Sequence, residues 1–177
     1  MKPHKLFHIS EDPNIRLFKP RPSPTQYEKI KGDVVFAVND TLLHNYFFPR
    51  DCPRVAYFRN EVTVEHDIES FFSTSLADYI ITVEASWYYK IKNTTLFCYE
   101  FDPETFTLLD ENAGYYISYE TVKPISVKKI DDLIEELLSR NIELRFTPNL
   151  WKLADLLNSS TLGYSMIRLR NARPKVL

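Results

Sequence analysis

Glycine is scarce in this chain of 177 residues, which has only three, at Gly32, Gly114 and Gly163. A loop that cradles phosphate needs several glycines close together, because the backbone must approach the phosphate without a Cβ in the way. The wide spacing therefore excludes a Walker A loop and a glycine-rich dinucleotide-binding fingerprint.

Cysteine is equally sparse, with only Cys52 and Cys98. Two cysteines are too few for a disulfide scaffold and lack metal-ligand spacing, so we expect reduced thiols. No apolar run approaches the roughly 18 residues of a membrane span, and no long apolar segment follows the basic N-terminus. These features favour a soluble, cytoplasmic protein without a signal peptide and without contact to a membrane.

Net charge is also small, at −2, so nucleic acid is not expected as a bulk partner. Aromatic residues are abundant instead, at 14%. Most of them are expected in the core, because each buries a large apolar area. The excess of tyrosine still leaves room for a groove that stacks a flat ligand.

Runs typical of strands dominate the chain, and helices are concentrated late. The expected strands are Lys5–Ile9, Val34–Val38, Val55–Phe58, Tyr79–Glu84, Thr95–Phe101, Phe106–Leu109, Tyr115–Tyr119, Ile142–Phe146 and about 163–169. No repeat, linker or low-complexity tract divides the sequence. We therefore predict an α+β fold with antiparallel-rich mixed sheets, a few helices and a single domain over residues 1–177.

The clearest helical pattern lies near the end of the chain. Ser126 is expected to cap this helix, and Glu135 and Glu136 are expected to face outward. The apolar positions recur at helical spacing at Ile130, Leu133, Ile134, Leu137 and Leu138. Their spacing predicts one buried stripe.

His8 lies between hydrophobic neighbours in the first expected strand. Such a histidine is usually a half-buried structural residue, yet an imidazole on a rigid strand is also well placed to hold a ligand hydroxyl. No nearby carboxylate or third histidine completes a metal site with His4 and His8, so metal binding is not expected.

Two charged groups have both a structural and a functional interpretation. Arg50, Asp51 and Arg54 lie in a proline-bounded turn, where Asp51 either pairs with an arginine or leaves the two guanidinium groups to clamp a phosphate. Asp110 and Glu111 lie just before a glycine and are either a catalytic carboxylate pair or turn residues. The sequence alone leaves both pairs of alternatives open.

Several segments together resemble a bacterial family of uncharacterised proteins, a domain of unknown function, over almost the whole chain. They are Leu6–Glu11, Phe48–Arg54, Glu143–Phe146 and Ile167–Ala172. This resemblance implies a shared fold but no activity.

A second resemblance is to small ADP-ribosyltransferase-like domains, which include rifampicin ADP-ribosyltransferase and RNA 2′-phosphotransferase. Their opening strand has the pattern [LF]-[YF]-H-[GIH]-[ST], and Leu6–Ser10 is similar to it. In that family the histidine holds a ribose hydroxyl and a second strand supplies an aromatic beside the nicotinamide. The resemblance thus implies that His8, Ser10 and Phe36 bind NAD or a related nucleotide.

The same resemblance implies the remaining roles. Arg50 or Arg54 would meet the pyrophosphate, and Asp110 or Glu111 would stabilise the positive charge that develops when the ribosyl–nicotinamide bond breaks. The chain departs from the family pattern in having Phe36 where many members have tyrosine, and Ala113 and Gly114 where several have a catalytic glutamate.

Three hypotheses follow for the function. The first is an NAD-dependent ADP-ribosyltransferase-like enzyme acting on an unknown acceptor. The second is a catalytically inactive nucleotide-binding module, and the third is a protein-interaction domain. The acceptor, the pathway and the oligomeric state stay open.

Overall fold

The structure is a computed structural model that describes residues 3–24, 27–111 and 113–175. Among the helices of these residues, none is long and apolar enough to cross a membrane. The described strands are β1 (Leu6–Ser10), β2 (Val35–Val38), β3 (Arg54–Phe58), β4 (Tyr79–Glu84), β5 (Leu96–Phe101), β6 (Thr107–Asp110), β7 (Tyr115–Ser118), β8 (Ser126–Ile130), β9 (Ile142–Thr147) and β10 (Gly163–Ile167).

The helices are short, as expected of a chain dominated by strands. They are α1 (Glu65–Asp67), α2 (Tyr88–Lys92), α3 (Leu133–Leu138) and α4 (Trp151–Leu157), with 3-10 turns at Asp40–Tyr46, Ala85–Trp87 and Leu169–Asn171 and a π-helical turn at Ile68–Phe72. Nearly all the strand pairs are antiparallel. The predicted α+β class with antiparallel-rich sheets is confirmed.

The chain divides by its internal contacts into two compact units. Unit 1 comprises Met1–Phe47 and Thr95–Asp131, and unit 2 comprises Phe48–Thr94 and Asp132–Leu177. A single domain over residues 1–177 stays a prediction.

Unit 1 is built on a six-stranded sheet with the order β6-β7-β2-β1-β5-β8. The strand that carries His8 is central, because β1 pairs with β2 on one side and with β5 on the other. Its pairing with β2 is brief, at Phe7 opposite Val38, whereas its pairing with β5 runs the full length from Leu6 to Ser10.

Alternating side chains give this sheet two different faces. One face holds the larger core, which includes Leu6, Ala37, Tyr99 and Phe101 and is covered by Phe18. The other face holds a smaller cluster of buried side chains, Val34, Leu109 and Ile117, with half-buried aromatic rings packed against it.

Unit 2 contains a four-stranded sheet with the order β10-β3-β4-β9. Its inner strands β3 and β4 are antiparallel, and the edge strand β9 runs parallel to β4. The core packs α4 and the π-helical turn against β3 and β4, with Tyr57, Phe72, Ile80 and Leu157 buried in it.

The predicted start of the late helix is wrong. Ser126 begins strand β8, which pairs along β5, and α3 begins only at Leu133 after Asp132. The Asp132 carboxylate accepts hydrogen bonds from the backbone N–H groups of Ile134 and Glu135 and so caps the helix. Of the predicted stripe within α3, Leu133 and Leu137 are buried and Ile134 is half-buried, whereas Leu138 is 53% exposed, so the prediction is wrong for Leu138.

Candidate functional site

His8 lies on the larger-core face of the unit 1 sheet, where its ring packs against aromatic side chains. The imidazole centroid lies 4.9 Å from the ring of Phe18 and 6.4 Å from that of Phe101. Its Nδ1 lies 3.0 Å from the carbonyl oxygen of Phe36. Because a carbonyl only accepts, Nδ1 must carry the proton, and the imidazole ties β1 to β2 beyond their one backbone pairing.

Phe36 lies on the opposite face of the same sheet, in a chain of aromatic rings. Its centroid is 5.8 Å from Tyr115 and 6.4 Å from Tyr27, and Tyr115 lies 5.9 Å from Tyr46. All four side chains are half-buried. We call Tyr27, Phe36, Tyr46 and Tyr115 the aromatic group.

The structure therefore separates two residues that the sequence placed in one site. Phe7 is opposite Val38, so Phe36 shares a face with Phe7, and His8 points to the other side. No pocket within unit 1 can be lined by both side chains from one face of the sheet. The ligand roles of His8 and Phe36 stay predictions, and each must be tested on its own.

Asp110 lies beside the aromatic group. It is opposite Tyr115 across the β6–β7 pairing, and burial, Tyr115 and Asp110 all raise the pKa of Tyr27. Tyr115 thus lies between Phe36 and Asp110, two of the residues predicted from sequence. The carboxylate also has a structural task, since its Oδ1 accepts a hydrogen bond of 3.1 Å from the backbone N–H of Ala113.

Ser10 and Glu111 lie at turns. The Ser10 hydroxyl accepts a hydrogen bond of 3.1 Å from the backbone N–H of Asp12, just after β1 ends. Glu111 is exposed, and its carbonyl accepts from the N–H of Gly114 at 3.1 Å. Each residue therefore has a structural role in its turn, whatever other function it has.

A groove of about 470 Å³ also lies in unit 1. Its lining combines two aromatic side chains, two basic ones and three polar ones. These residues are His4, Lys5, Phe7, Asn39, Asp40, Thr41 and Tyr116, together with Pro3. The Lys5 ammonium in this groove pairs with Glu100 at 2.9 Å and lowers the pKa of that carboxyl.

The predicted arginines belong to unit 2 and differ in exposure. Arg50 is exposed, whereas Arg54 is buried, donates a hydrogen bond of 2.8 Å to the carbonyl of Cys52 and lies 5.1 Å over the ring of Phe48. These contacts of Arg54 stabilise the proline-bounded turn that the sequence predicted. Its role toward a pyrophosphate stays a prediction.

Cys52 is fully buried in the same turn. Burial raises the pKa of its thiol to about 12, although Arg54 and Lys90 act in the opposite direction. A thiol in this state is protonated at neutral pH and is a poor nucleophile. Within the described ranges, no three or more His, Cys, Asp or Glu side chains group to hold a metal ion.

Sequence reasoning missed the tyrosines that surround Phe36. The excess of tyrosine pointed to stacking surfaces, and Tyr115 stands in a strand that the sequence predicted. Tyr27 and Tyr46 lie outside strands, in segments whose packing depends on the fold of the whole unit.

Comparison with known proteins supplies a family and no activity. No curated protein and no solved structure shows a significant match to the chain. One family profile, described as "Family of unknown function (DUF6886)", matches residues 7–172. Because this match covers nearly the whole sequence, the chain belongs to the DUF6886 family of unknown function.

Proposed function

We propose that unit 1 binds NAD or a related nucleotide, with a flat ring of the ligand stacked against the aromatic group. The observation that carries this proposal is the continuous series of half-buried rings, Tyr27, Phe36, Tyr115 and Tyr46, beside the Asp110 carboxylate. Stacking on aromatic rings does not require a glycine-rich phosphate loop, so the scarcity of glycine does not conflict with this proposal. The resemblance to ADP-ribosyltransferase-like domains supports the choice of nucleotide.

Stacking explains why aromatic rings suit this ligand. A base or nicotinamide ring on an aromatic side chain contributes about 1–3 kcal/mol. The groove in the same unit, at about 470 Å³, is a separate location for the nucleotide, because none of the aromatic group lines it.

If the protein is an enzyme, we propose Asp110 as its catalytic residue. If the nicotinamide ring stacks on Phe36, the carboxylate lies on the correct face of the sheet to stabilise an oxocarbenium-like anomeric carbon. The transfer would move ADP-ribose to an acceptor and release nicotinamide, and Asp110 would act electrostatically.

The catalytically inactive module is the second candidate, and the hydrogen bonding of Asp110 favours it. Its Oδ1 holds the backbone N–H of Ala113, which is the behaviour of a turn residue. The neighbouring Glu111 is exposed. A carboxylate used to close a turn favours binding without catalysis.

Calorimetric titration with NAD, ADP-ribose and AMP tests the binding. We expect binding to the wild-type protein, and a loss of about tenfold in affinity for Phe36→Leu, because leucine keeps the apolar volume but loses the ring. Phe97→Leu is the matched control, since Phe97 is also half-buried in unit 1 but packs against the larger core.

Three outcomes would change the conclusion. Absence of heat with all three ligands at millimolar concentration would refute nucleotide binding. An equal loss in Phe36→Leu and Phe97→Leu would remove the aromatic group from the site. A loss in Tyr116→Leu without one in Phe36→Leu would move the nucleotide to the groove.

Product analysis separates the enzyme from the inactive module. Incubation with NAD and chromatography for free nicotinamide should show release by the wild-type protein and none by Asp110→Asn if the carboxylate is catalytic. Binding of NAD with no release above the rate in buffer would assign the inactive module.

A further inference from the structure

Unit 2 carries an exposed aromatic surface that the proposed nucleotide site does not use. Tyr89 on α2 is 76% exposed and Phe146 on the edge strand β9 is 40% exposed. Tyr88 lies between them, with ring centroids 5.3 Å from Tyr89 and 5.6 Å from Phe146. Three rings in contact therefore present their outer surfaces together.

Two lysines accompany these rings. Lys90 Nζ lies 4.8 Å from the centroid of Trp87, and both Lys90 and Lys92 are exposed. Ile91 between them is fully buried and anchors the short helix. We call Trp87, Tyr88, Tyr89, Lys90, Lys92 and Phe146 the aromatic–lysine surface.

The carboxylates of the adjacent helix are mostly engaged elsewhere. Helix α3 packs against α2, and its Asp132 caps the helix while Glu136 pairs with Arg140 at 3.4 Å. Glu135 is the exposed carboxylate of that helix. Helix α3 thus offers one exposed carboxylate, that of Glu135, for the two lysines beside the rings.

We propose that the aromatic–lysine surface binds single-stranded nucleic acid. Every base has a flat face that stacks on an aromatic ring. The phosphates that join successive bases interact with cationic side chains near those rings. Both kinds of side chain occur within the six consecutive residues Trp87–Lys92, beside Phe146, so a strand a few nucleotides long can meet both. The net charge of −2 does not favour binding of nucleic acid by the whole surface, but a short local contact of this kind depends on the cations at the contact itself.

Fluorescence anisotropy with labelled rU12 and dT12 on the full chain tests this inference at low and moderate salt. We expect binding that weakens with salt, and a loss of about fivefold or more for Tyr89→Ala, because one stacked base is lost. Tyr164→Ala is the matched control, since Tyr164 is a 40% exposed tyrosine on β10 of the same unit.

The salt dependence of binding tests the contribution of the two lysines separately. Removing two phosphate contacts from a single-stranded complex lowers the slope of log affinity against log salt by about 1.4. We expect that change in the double variant Lys90→Ala, Lys92→Ala. An unchanged slope would show that these lysines do not meet phosphates.

The remaining outcomes are decisive as well. Absence of binding to both oligonucleotides, or equal effects of Tyr89→Ala and Tyr164→Ala, would overturn the inference. Displacement of the oligonucleotide by excess ADP-ribose would place it at the nucleotide site of unit 1. A change of oligomeric state in Tyr89→Ala, measured by light scattering, would assign the surface to a second copy of the chain. Failure of NAD binding alone would leave this inference standing.

Discussion

The imidazole of His8 donates from Nδ1 to the carbonyl oxygen of Phe36 across 3.0 Å, although the two side chains point to opposite faces of one sheet. The bond lies next to the only backbone pairing described between β1 and β2, Phe7 opposite Val38. His8 is therefore placed to hold the two strands together where their ladder ends.

This bond predicts a stability effect for His8 that does not depend on any ligand. His8→Ala should lower the free energy of unfolding by about 1–3 kcal/mol, because the carbonyl of Phe36 loses its donor and the Phe18 ring loses a neighbour. His8→Asn should lose less, since its amide N–H can replace the Nδ1–H. Urea denaturation at constant m-value measures both.

The alternative for His8 gives the reverse pattern. If His8 holds a ribose, the alanine variant should unfold at the wild-type urea concentration and bind NAD five- to tenfold more weakly, as expected for one lost neutral hydrogen bond of about 1 kcal/mol.

Leu137 should be far more sensitive to truncation than its neighbour Leu138 in α3. It is fully buried, and Leu137→Ala should lower the free energy of unfolding by about 2–5 kcal/mol, the range for deleting a packed leucine. Leu138 is 53% exposed, and its alanine variant should cost less than about 1 kcal/mol. Equal effects in chemical denaturation would contradict the observed orientation of the helix.

The same helix shows how far the sequence predicts the fold. Periodicity correctly predicts buried Leu133 and Leu137, because helical spacing is visible along the chain. It wrongly extends the helix back to Ser126, because Ile130 falls in phase by chance across the junction. The segment from Ser126 is a strand because β5 pairs with it, and such non-local pairing overrides local pattern.

The sequence predicts the candidate site only in part, for a similar reason. The two strands β1 and β2 are evident in the sequence as apolar runs, but their relative register is not. A shift of one residue would place Phe36 on the face of His8. The observed register, Phe7 opposite Val38, instead joins Phe36 to Tyr115 and Asp110, a grouping that only the three-dimensional pairing could reveal.

Gly114 should be intolerant of a side chain for two reasons. Its φ of +64° is unfavourable for other residues, and an added Cβ would lie 2.7 Å from Oδ1 of Asn39. That oxygen accepts from the N–H of Leu42 and caps the 3-10 turn. Gly114→Ala should therefore cost more than about 1 kcal/mol of unfolding free energy.

Gly32 separates backbone strain from collision. It also has a positive φ, of +119°, but nothing lies within 4 Å of an added Cβ. Thermal unfolding of Gly32→Ala therefore measures backbone strain alone, and its φ makes that strain no smaller than at Gly114. At Gly114, an alanine variant as stable as the wild-type protein would contradict the close approach of Asn39.

Cys52 should resist alkylation in the folded protein. It is fully buried and the pKa of its thiol is raised to about 12, so little thiolate exists at pH 8. Iodoacetamide followed by peptide mass analysis should leave Cys52 unmodified until denaturant is added. Rapid native labelling at Cys52 would contradict the burial and would reopen a nucleophilic role.

The last prediction concerns Glu143 and pH. The Ser75 hydroxyl donates to its carboxylate, and Arg145 Nε donates at 2.6 Å. Arg145 is itself fixed, since its Nη1 donates to the hydroxyl of Tyr57 at 3.0 Å and to the carbonyl of Phe71 at 2.9 Å. The Ser75 hydrogen bond, followed by Arg145, lowers the pKa of Glu143.

A carboxyl whose pKa is lower in the folded state stabilises the protein above its unfolded pKa, about 4.3 for glutamate, and loses that contribution as pH falls through the folded value. The stability difference between the wild-type protein and Glu143→Gln should thus be largest near neutral pH and shrink below about pH 4. Because the carboxylate is about one third exposed, solvent screening keeps this difference modest. Urea denaturation from pH 7 to 3 measures it, and Ser75→Ala should reduce the pH dependence only while Glu143 is present. A difference that stays constant across this range would show that the Ser75–Glu143–Arg145 contacts do not stabilise the ionised carboxylate.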